Sequence, residues 1–298
     1  MIQGHTAAQA PAWFRGALAA KPESGWVNVA GARLEWAAWG KKGRPGLLLM
    51  TGNGAHIGWW RPIAPILAEE YRVATFSWTG MGRSDWRKTY ETETLMKEPI
   101  AVAEATGLFD GDIAPFLCAH SFGGFIALNM LIREGERFSG GVLLDSRLRI
   151  RQNWGPQAKE VPPFHVHATK GQALARFKLK PDQPHLHPFI LDMLAEESLE
   201  RVGQGWRYRQ DPNMRRKTPL SADLIPSISD AKCPLAFIRG AGSASVADEI
   251  WAEQKAAAPP GTPFVEIPAA YHHVMHDQPI ALIAAMRALL QSFPGEHR

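Results

Sequence analysis

Residues 114–125 read APFLCAHSFGGF, and the fold turns on how Ser121 is placed within them. An apolar strand candidate, APFLCA (114–119), leads into the serine, and a helical pattern, GGFIALNML (123–131), leads away from it. A nucleophile carried on so sharp a strand-to-helix turn needs small residues two places before and two places after it, because the backbone there is tight. Ala119 and Gly123 fill those two places. Such a turn lifts the hydroxyl above the sheet and aims the amides of the helix start at the reacting centre. The bare pattern small-x-Ser-x-Gly is common. The strand before it and the helix after it separate it from an ordinary helix-capping serine.

Outward from this turn, short apolar runs alternate with helical patterns. The strand candidates before the insertion are GWVNV (25–29), RLEWAAW (33–39), GLLLM (46–50), RVATFSW (72–78), the run before Ser121, and GGVLLD (140–145). Helical stretches lie between them at 61–71, 95–107 and 123–135. Nearly continuous apolar strands of this kind predict an α/β fold, a mainly parallel sheet flanked by helices on both faces. From Arg147 to about Ile225 the rhythm breaks into a basic, proline-dotted segment, in which ALARFKL (173–179) and ILDMLAEESLERVGQ (190–204) read as helices. CPLAFIRG (233–240), VADEIWAEQKAAA (246–258), PFVEI (263–267) and PIALIAAMRALLQSF (279–293) then resume the alternation. The expected organisation is a core over 1–146, a mostly helical cap over 147–225 inserted after the sixth strand, and the rest of the core over 226–298.

A serine hydroxyl needs a base to react at neutral pH. The strand PFVEI is followed by PAAYHHVMHDQP (268–279), three histidines on a short loop ahead of the last helix. A zinc reading of HHVMH is open, but it needs a further ligand and explains neither the turn at Ser121 nor the strand order. With serine before histidine along the chain, the sequence resembles the α/β-hydrolases, and the bacterial serine hydrolases and esterases with a helical cap among them. The resemblance covers nearly the whole chain from Trp13 onward. It includes GAHIGWW (54–60), RFKLKPDQP (176–184), GWRYRQDP (205–212) and HHVMHDQP (272–279).

That resemblance implies Ser121 as nucleophile and His272 as base, with His273 and His276 as less favoured alternatives. It implies an oxyanion hole from the backbone N–H groups of Asn53 and Phe122, although Thr51-Gly52 stands where relatives usually carry His-Gly. The acid usually follows the seventh strand, but here that place holds Ser243 or Ala244. The end of the sixth strand supplies Asp145 instead, and it is taken as the acid; Asp277 lies too close to His272 in sequence to orient it easily. A second departure is SWTGMGRS (77–84), where relatives commonly begin with Asp. Trp59, Trp60, Trp78 and Trp206 are candidate pocket residues, with plain core packing as the alternative for each.

Composition narrows the rest. The chain has 298 residues and a formal charge of +4, and residues 147–220 hold 14 Lys/Arg against 7 Asp/Glu, so the excess lies in the insertion. No basic-aromatic pattern or recognition motif points to nucleic acid. No apolar run approaches the roughly 20 residues that cross a bilayer, and no secretory signal is visible, so no membrane is expected. Cys118 and Cys233 sit in apolar runs, which predicts reduced thiols and a cytoplasmic protein. No cofactor or metal is expected, and the oligomeric state stays open. The first functional reading is hydrolysis of a small-molecule ester or lactone through an acyl-enzyme. Cofactor-independent dioxygenation or carbon–carbon hydrolysis on the same fold is the second, and a catalytically weak ligand binder the third.

Overall fold

The computed structural model describes residues 10–150, 155–156, 159, 165–184, 186–220 and 222–293. Helix α1 (Ala12–Ala19) leads into a hairpin of β1 (Glu23–Val29) and β2 (Ala32–Trp39). The alternating part follows as β3 (Gly46–Met50), α2 (Ala64–Leu67), β4 (Arg72–Phe76), α3 (Thr92–Ala105), β5 (Phe116–His120), α4 (Phe122–Glu134) and β6 (Gly140–Leu144). The insertion carries β7 (Arg149–Ile150), α5 (Lys170–Leu174), α6 (Pro188–Glu197), β8 (Leu199–Val202), β9 (Gly205–Tyr208), α7 (Met214–Lys217) and β10 (Ala222–Asp223). The chain then runs through β11 (Leu235–Gly240), α8 (Asp248–Ala257), β12 (Phe264–Ile267), α9 (Val274–Asp277) and α10 (Pro279–Ser292).

Eight strands form one sheet in the order β1-β2-β4-β3-β5-β6-β11-β12. All neighbours from β4 to β12 are parallel, and β2 runs antiparallel to both β1 and β4. Every residue of β3, β4, β5, β6 and β11 is buried, because helices cover both faces. Period-two alternation splits these residues between two cores. Leu48 and Met50 pack with α3, α4 and α8 on one face, and Leu47 and Leu49 with α1, α2 and α10 on the other. With β5 between β3 and β6, the loops that leave β3, β5, β6, β11 and β12 gather at one edge of the sheet. Ser121, Asp145 and His272 lie in that group.

The insertion is more mixed than its sequence predicts. The helix expected over 190–204 stops at Glu197, and β8 pairs with β9 across the two-residue turn Gly203–Gln204. Gly203 has φ +57, the left-handed value that such a hairpin turn asks for. The apolar periodicity of α6 runs on into β8, so periodicity alone hides this turn. The helix expected over 173–179 is likewise only the end of α5. At the root of the insertion β7 pairs with β10, so the outgoing and returning chains meet next to the core. No helix among the described residues is long and apolar enough to cross a membrane.

Candidate active site

Ser121 sits between β5 and α4 with φ 54 and ψ −117, a backbone conformation that a non-glycine residue adopts only when its surroundings impose it. The constraint comes from both sides. The Ser121 N–H donates to the Leu144 carbonyl at 3.0 Å, and the Ser121 carbonyl accepts from Gly124 N–H at 3.0 Å. A Cβ at position 123 would stand 2.6 Å from the Thr51 carbonyl oxygen, so the close approach of α4 to the loop after β3 requires glycine there. Phe122 opens α4, and amides in a first helical turn have no acceptor within the helix.

Asp145 follows β6 and is 1% exposed. Burying a carboxylate is costly unless donors meet it, and three do. Gly240 N–H reaches Oδ2 at 2.9 Å, Ser243 Oγ reaches Oδ1 at 2.6 Å, and His272 Nδ1 reaches Oδ1 at 2.8 Å. Since a carboxylate only accepts, His272 carries its proton on Nδ1 and keeps the Nε2 lone pair for a proton from elsewhere. This Asp–His pair is the arrangement in which the acid fixes the tautomer of the base and stabilises its cationic form. Ser243, one of the two residues at the usual acid position, is part of the same network. Its hydroxyl accepts from the N–H groups of Ser245 and Val246, both at 3.2 Å, and donates to Asp145.

Asp277, the alternative acid, is engaged elsewhere. Its carboxylate accepts from the Tyr271 N–H at 2.8 Å and from the Gln183 side-chain amide at 2.9 Å, and burial raises its pKa to about 6. Gln183 also accepts from the His273 N–H at 3.1 Å, so a residue of the insertion pins the histidine loop. On the other side of the site, His56 accepts from Gly58 N–H and donates to Ser198 Oγ, and burial lowers its pKa to about 3. The insertion is thereby hydrogen-bonded to the loop after β3 and to the loop after β12.

His120 precedes Ser121 and lies against the base, with 4.7 Å between the His120 and His272 ring centroids. Its Nε2–H donates to the His272 carbonyl at 2.9 Å. Gln183, His56 and His120 were not singled out by sequence reasoning, and Ser243 was named only as a departure at the usual acid position, not as a partner of Asp145.

The tryptophans divide. Trp60 and Trp78 have no exposed surface and belong to the core, so the pocket expectation is corrected to packing for these two. Trp78 Nε1 donates to the Thr51 carbonyl at 2.8 Å, and its ring packs edge-on against Phe76 and Phe122, underpinning the loop after β3. Trp59 lies between His56 and His276, at centroid distances of 4.8 and 5.6 Å. Trp206 is in β9, half-buried beneath the Lys170 ammonium. Of the insertion's other histidines, His165 and His167 pack against each other with centroids 4.4 Å apart, His187 is half-buried beside Phe189, and His185 lies outside the described residues.

The sheet order, the strained serine turn and the Asp–His pair at one sheet edge define the α/β-hydrolase class. Comparison of the chain with known families matches the alpha/beta hydrolase family over residues 47–286, and the chain belongs to it. It is 26% identical over 137 residues to 3-oxoadipate enol-lactonase 1 of Acinetobacter baylyi, covering 45% of this chain and 50% of that one. It is 33% identical over 124 residues to 2-heptyl-3-hydroxy-4-quinolone dioxygenase AqdC2 of Rhodococcus erythropolis, covering 40% and 43%. Among solved structures, the thioesterase domain from the curacin biosynthetic pathway superposes with TM-score 0.75 at 18% identity, over 89% of this chain and 99% of that one.

Proposed function

We propose that the protein is a serine hydrolase that cleaves a carboxylic ester or lactone through an acyl-enzyme. The observation that carries this reading is the 2.8 Å bond from His272 Nδ1 to Asp145, set at the sheet edge where Ser121 is held in a strained turn. His272 Nε2 takes the Ser121 proton as Oγ attacks the carbonyl carbon, and the N–H groups of Asn53 and Phe122 receive the oxyanion. His272 returns the proton to the leaving oxygen. Water, deprotonated by the same nitrogen, then releases the acid. Asp145 holds the imidazole throughout. Residues 147–225 act as a cap whose contacts with the two flanking loops bound the acyl or leaving-group side, with Trp59 and Trp206 as lining candidates. The unpaired thiols of Cys118 and Cys233 support a reducing, cytoplasmic setting.

The enol-lactonase likeness supports a lactone or ester as substrate. The test is hydrolysis of short and medium p-nitrophenyl esters and of an enol-lactone by the wild type and Ser121→Ala. Loss of turnover in the variant is the expected result, and retained turnover sinks the acyl-enzyme. One observation favours a second reading. Cofactor-independent dioxygenases of similar fold place their acid after the sixth strand, as Asp145 is placed here, and one relative carries a dioxygenase name. Oxygen consumption with a hydroxyquinolone that survives in Ser121→Ala would decide for it.

A further inference from the structure

We propose that the imidazoles of His120, His272 and His273 form a site for a zinc-class transition-metal ion, and that filling it switches the enzyme off. The metal alternative for HHVMH, open in the sequence, needs a further ligand. The fold supplies one from the end of β5, as His120. One nitrogen from each ring lies within 4.8 Å of the other two. The centre of such a triangle is at most about 2.8 Å from each corner, so no nitrogen has to move by more than about 0.7 Å to bond at the roughly 2.0–2.1 Å of zinc–imidazole sites.

The hydrogen bonds fix which nitrogens are available. His120 spends its proton on the His272 carbonyl through Nε2, leaving a lone pair on Nδ1, which is buried without a partner. His272 spends its proton on Asp145 through Nδ1, leaving Nε2. In His273, which is 5% exposed, neither ring nitrogen completes a hydrogen bond, although the Lys180 carbonyl faces the ring. Buried polar atoms without partners are costly and call for an occupant. Asp145 behind His272 adds the carboxylate that commonly backs a metal-bound imidazole. Three protein ligands leave a fourth position for water.

The consequence for activity rests on the hydrolase reading, whereas the site itself does not. A metal on Nε2 occupies the lone pair that must receive the Ser121 proton, so hydrolysis stops until the ion is removed.

Cobalt(II), whose visible absorption reports nitrogen coordination, separates the two claims. Wild type and Ser121→Ala are each expected to take up one Co2+ with a visible band. His273→Leu is expected to bind at least about 10–100-fold more weakly, the loss that even an outer metal partner causes, with ester hydrolysis retained. The exposed His165→Ala variant is expected to keep the band. Zn2+ is expected to inhibit the wild type, reversibly with EDTA, and to leave His273→Leu active. His273→Asn serves as a second variant if the leucine does not fold. A band absent from wild type and Ser121→Ala overturns the site, as does one that persists in His273→Leu and disappears in His165→Ala. A Co2+ band in a protein that hydrolyses no ester keeps the site and removes the hydrolase reading instead.

Discussion

Ser77 stands where relatives of this fold commonly carry aspartate, Ser243 is one of the two residues at the place where they usually carry the acid, and beside each serine the neighbouring strand supplies a carboxylate. Ser77 follows β4 and donates to Glu35 of the adjacent β2 at 2.7 Å. Ser243 follows β11 and donates to Asp145 at the end of the adjacent β6 at 2.6 Å. The backbones are joined beside each pair, Ser77 N–H to the Glu35 carbonyl at 3.2 Å and Asp145 N–H to the Ile238 carbonyl at 2.7 Å. The difference lies in what else each carboxylate holds. Glu35 accepts the Arg83 N–H at 2.7 Å and so fixes a loop. Asp145 accepts a ring proton and so orients His272, the proposed base. Sheet adjacency lets a carboxylate that follows β6 meet a hydroxyl that follows β11, and from there it also reaches the His272 imidazole.

Breaking the Asp145 side has the largest expected effect. Asp145→Asn removes the charge and presents the wrong tautomer to His272, and is expected to lower kcat by about 10⁴-fold with little change in Tm. The comparison sharpens if the acid can be moved back. Asp145→Ser with Ser243→Asp exchanges the two residues, and is expected to recover at least about tenfold of what Asp145→Ser loses, one charge-assisted hydrogen bond being worth roughly 1.5–3 kcal/mol. Activity no better than in the single variant would show that the β11 loop cannot present an acid to His272.

Ser243→Ala keeps the acid but removes one of its donors, and about a tenfold fall in kcat/KM is expected, again from one charge-assisted bond. Glu35→Leu, the matching lesion on the other side, should cost about 1–3 kcal/mol of stability by leaving the Ser77 hydroxyl and the Arg83 amide unmet. Its activity per folded molecule, by active-site titration, should be nearly that of the wild type.

The smallest effect concerns Glu98, which holds the same loop from beneath by accepting from the N–H and hydroxyl of Thr79 at 3.1 and 2.6 Å. Burial raises its pKa from 4.5 to about 7. The folded protein therefore holds this proton more tightly than the unfolded chain. Below pH 4.5 the group costs nothing, stability falls as pH rises from there to about 7, and it is level above. Glu98→Gln should flatten that part of the stability–pH curve in chemical denaturation.

Much of the site was legible because two of its parts are local in sequence. The turn at Ser121 announces itself through a strand, two small residues and a helix within twelve residues, and His272 through its loop between a strand and the last helix. Asp145 is taken as the acid because the resemblance offers the end of the sixth strand as the other place for it, and the structure sets its carboxylate 2.8 Å from His272 Nδ1. Glu35 and Ser243 were not legible as partners, because each bond joins residues 42 and 98 positions apart in the chain. Trp60 and Trp78 were ambiguous for a different reason. An aromatic beside a catalytic loop reads the same whether it lines a pocket or props the loop, and only burial separates the two. The β8–β9 hairpin was hidden because helical periodicity continues across Ser198.

The most direct test is the rate at which a fluorophosphonate labels the protein, followed by intact-mass and peptide mass spectrometry. A single phosphonyl group on the Ser121 peptide is predicted in the wild type, none in Ser121→Ala, and labelling slowed by orders of magnitude in Asp145→Asn. Labelling of Asp145→Asn at the wild-type rate would contradict the claim that an acid borrowed from the sixth strand of the sheet arms His272 and Ser121.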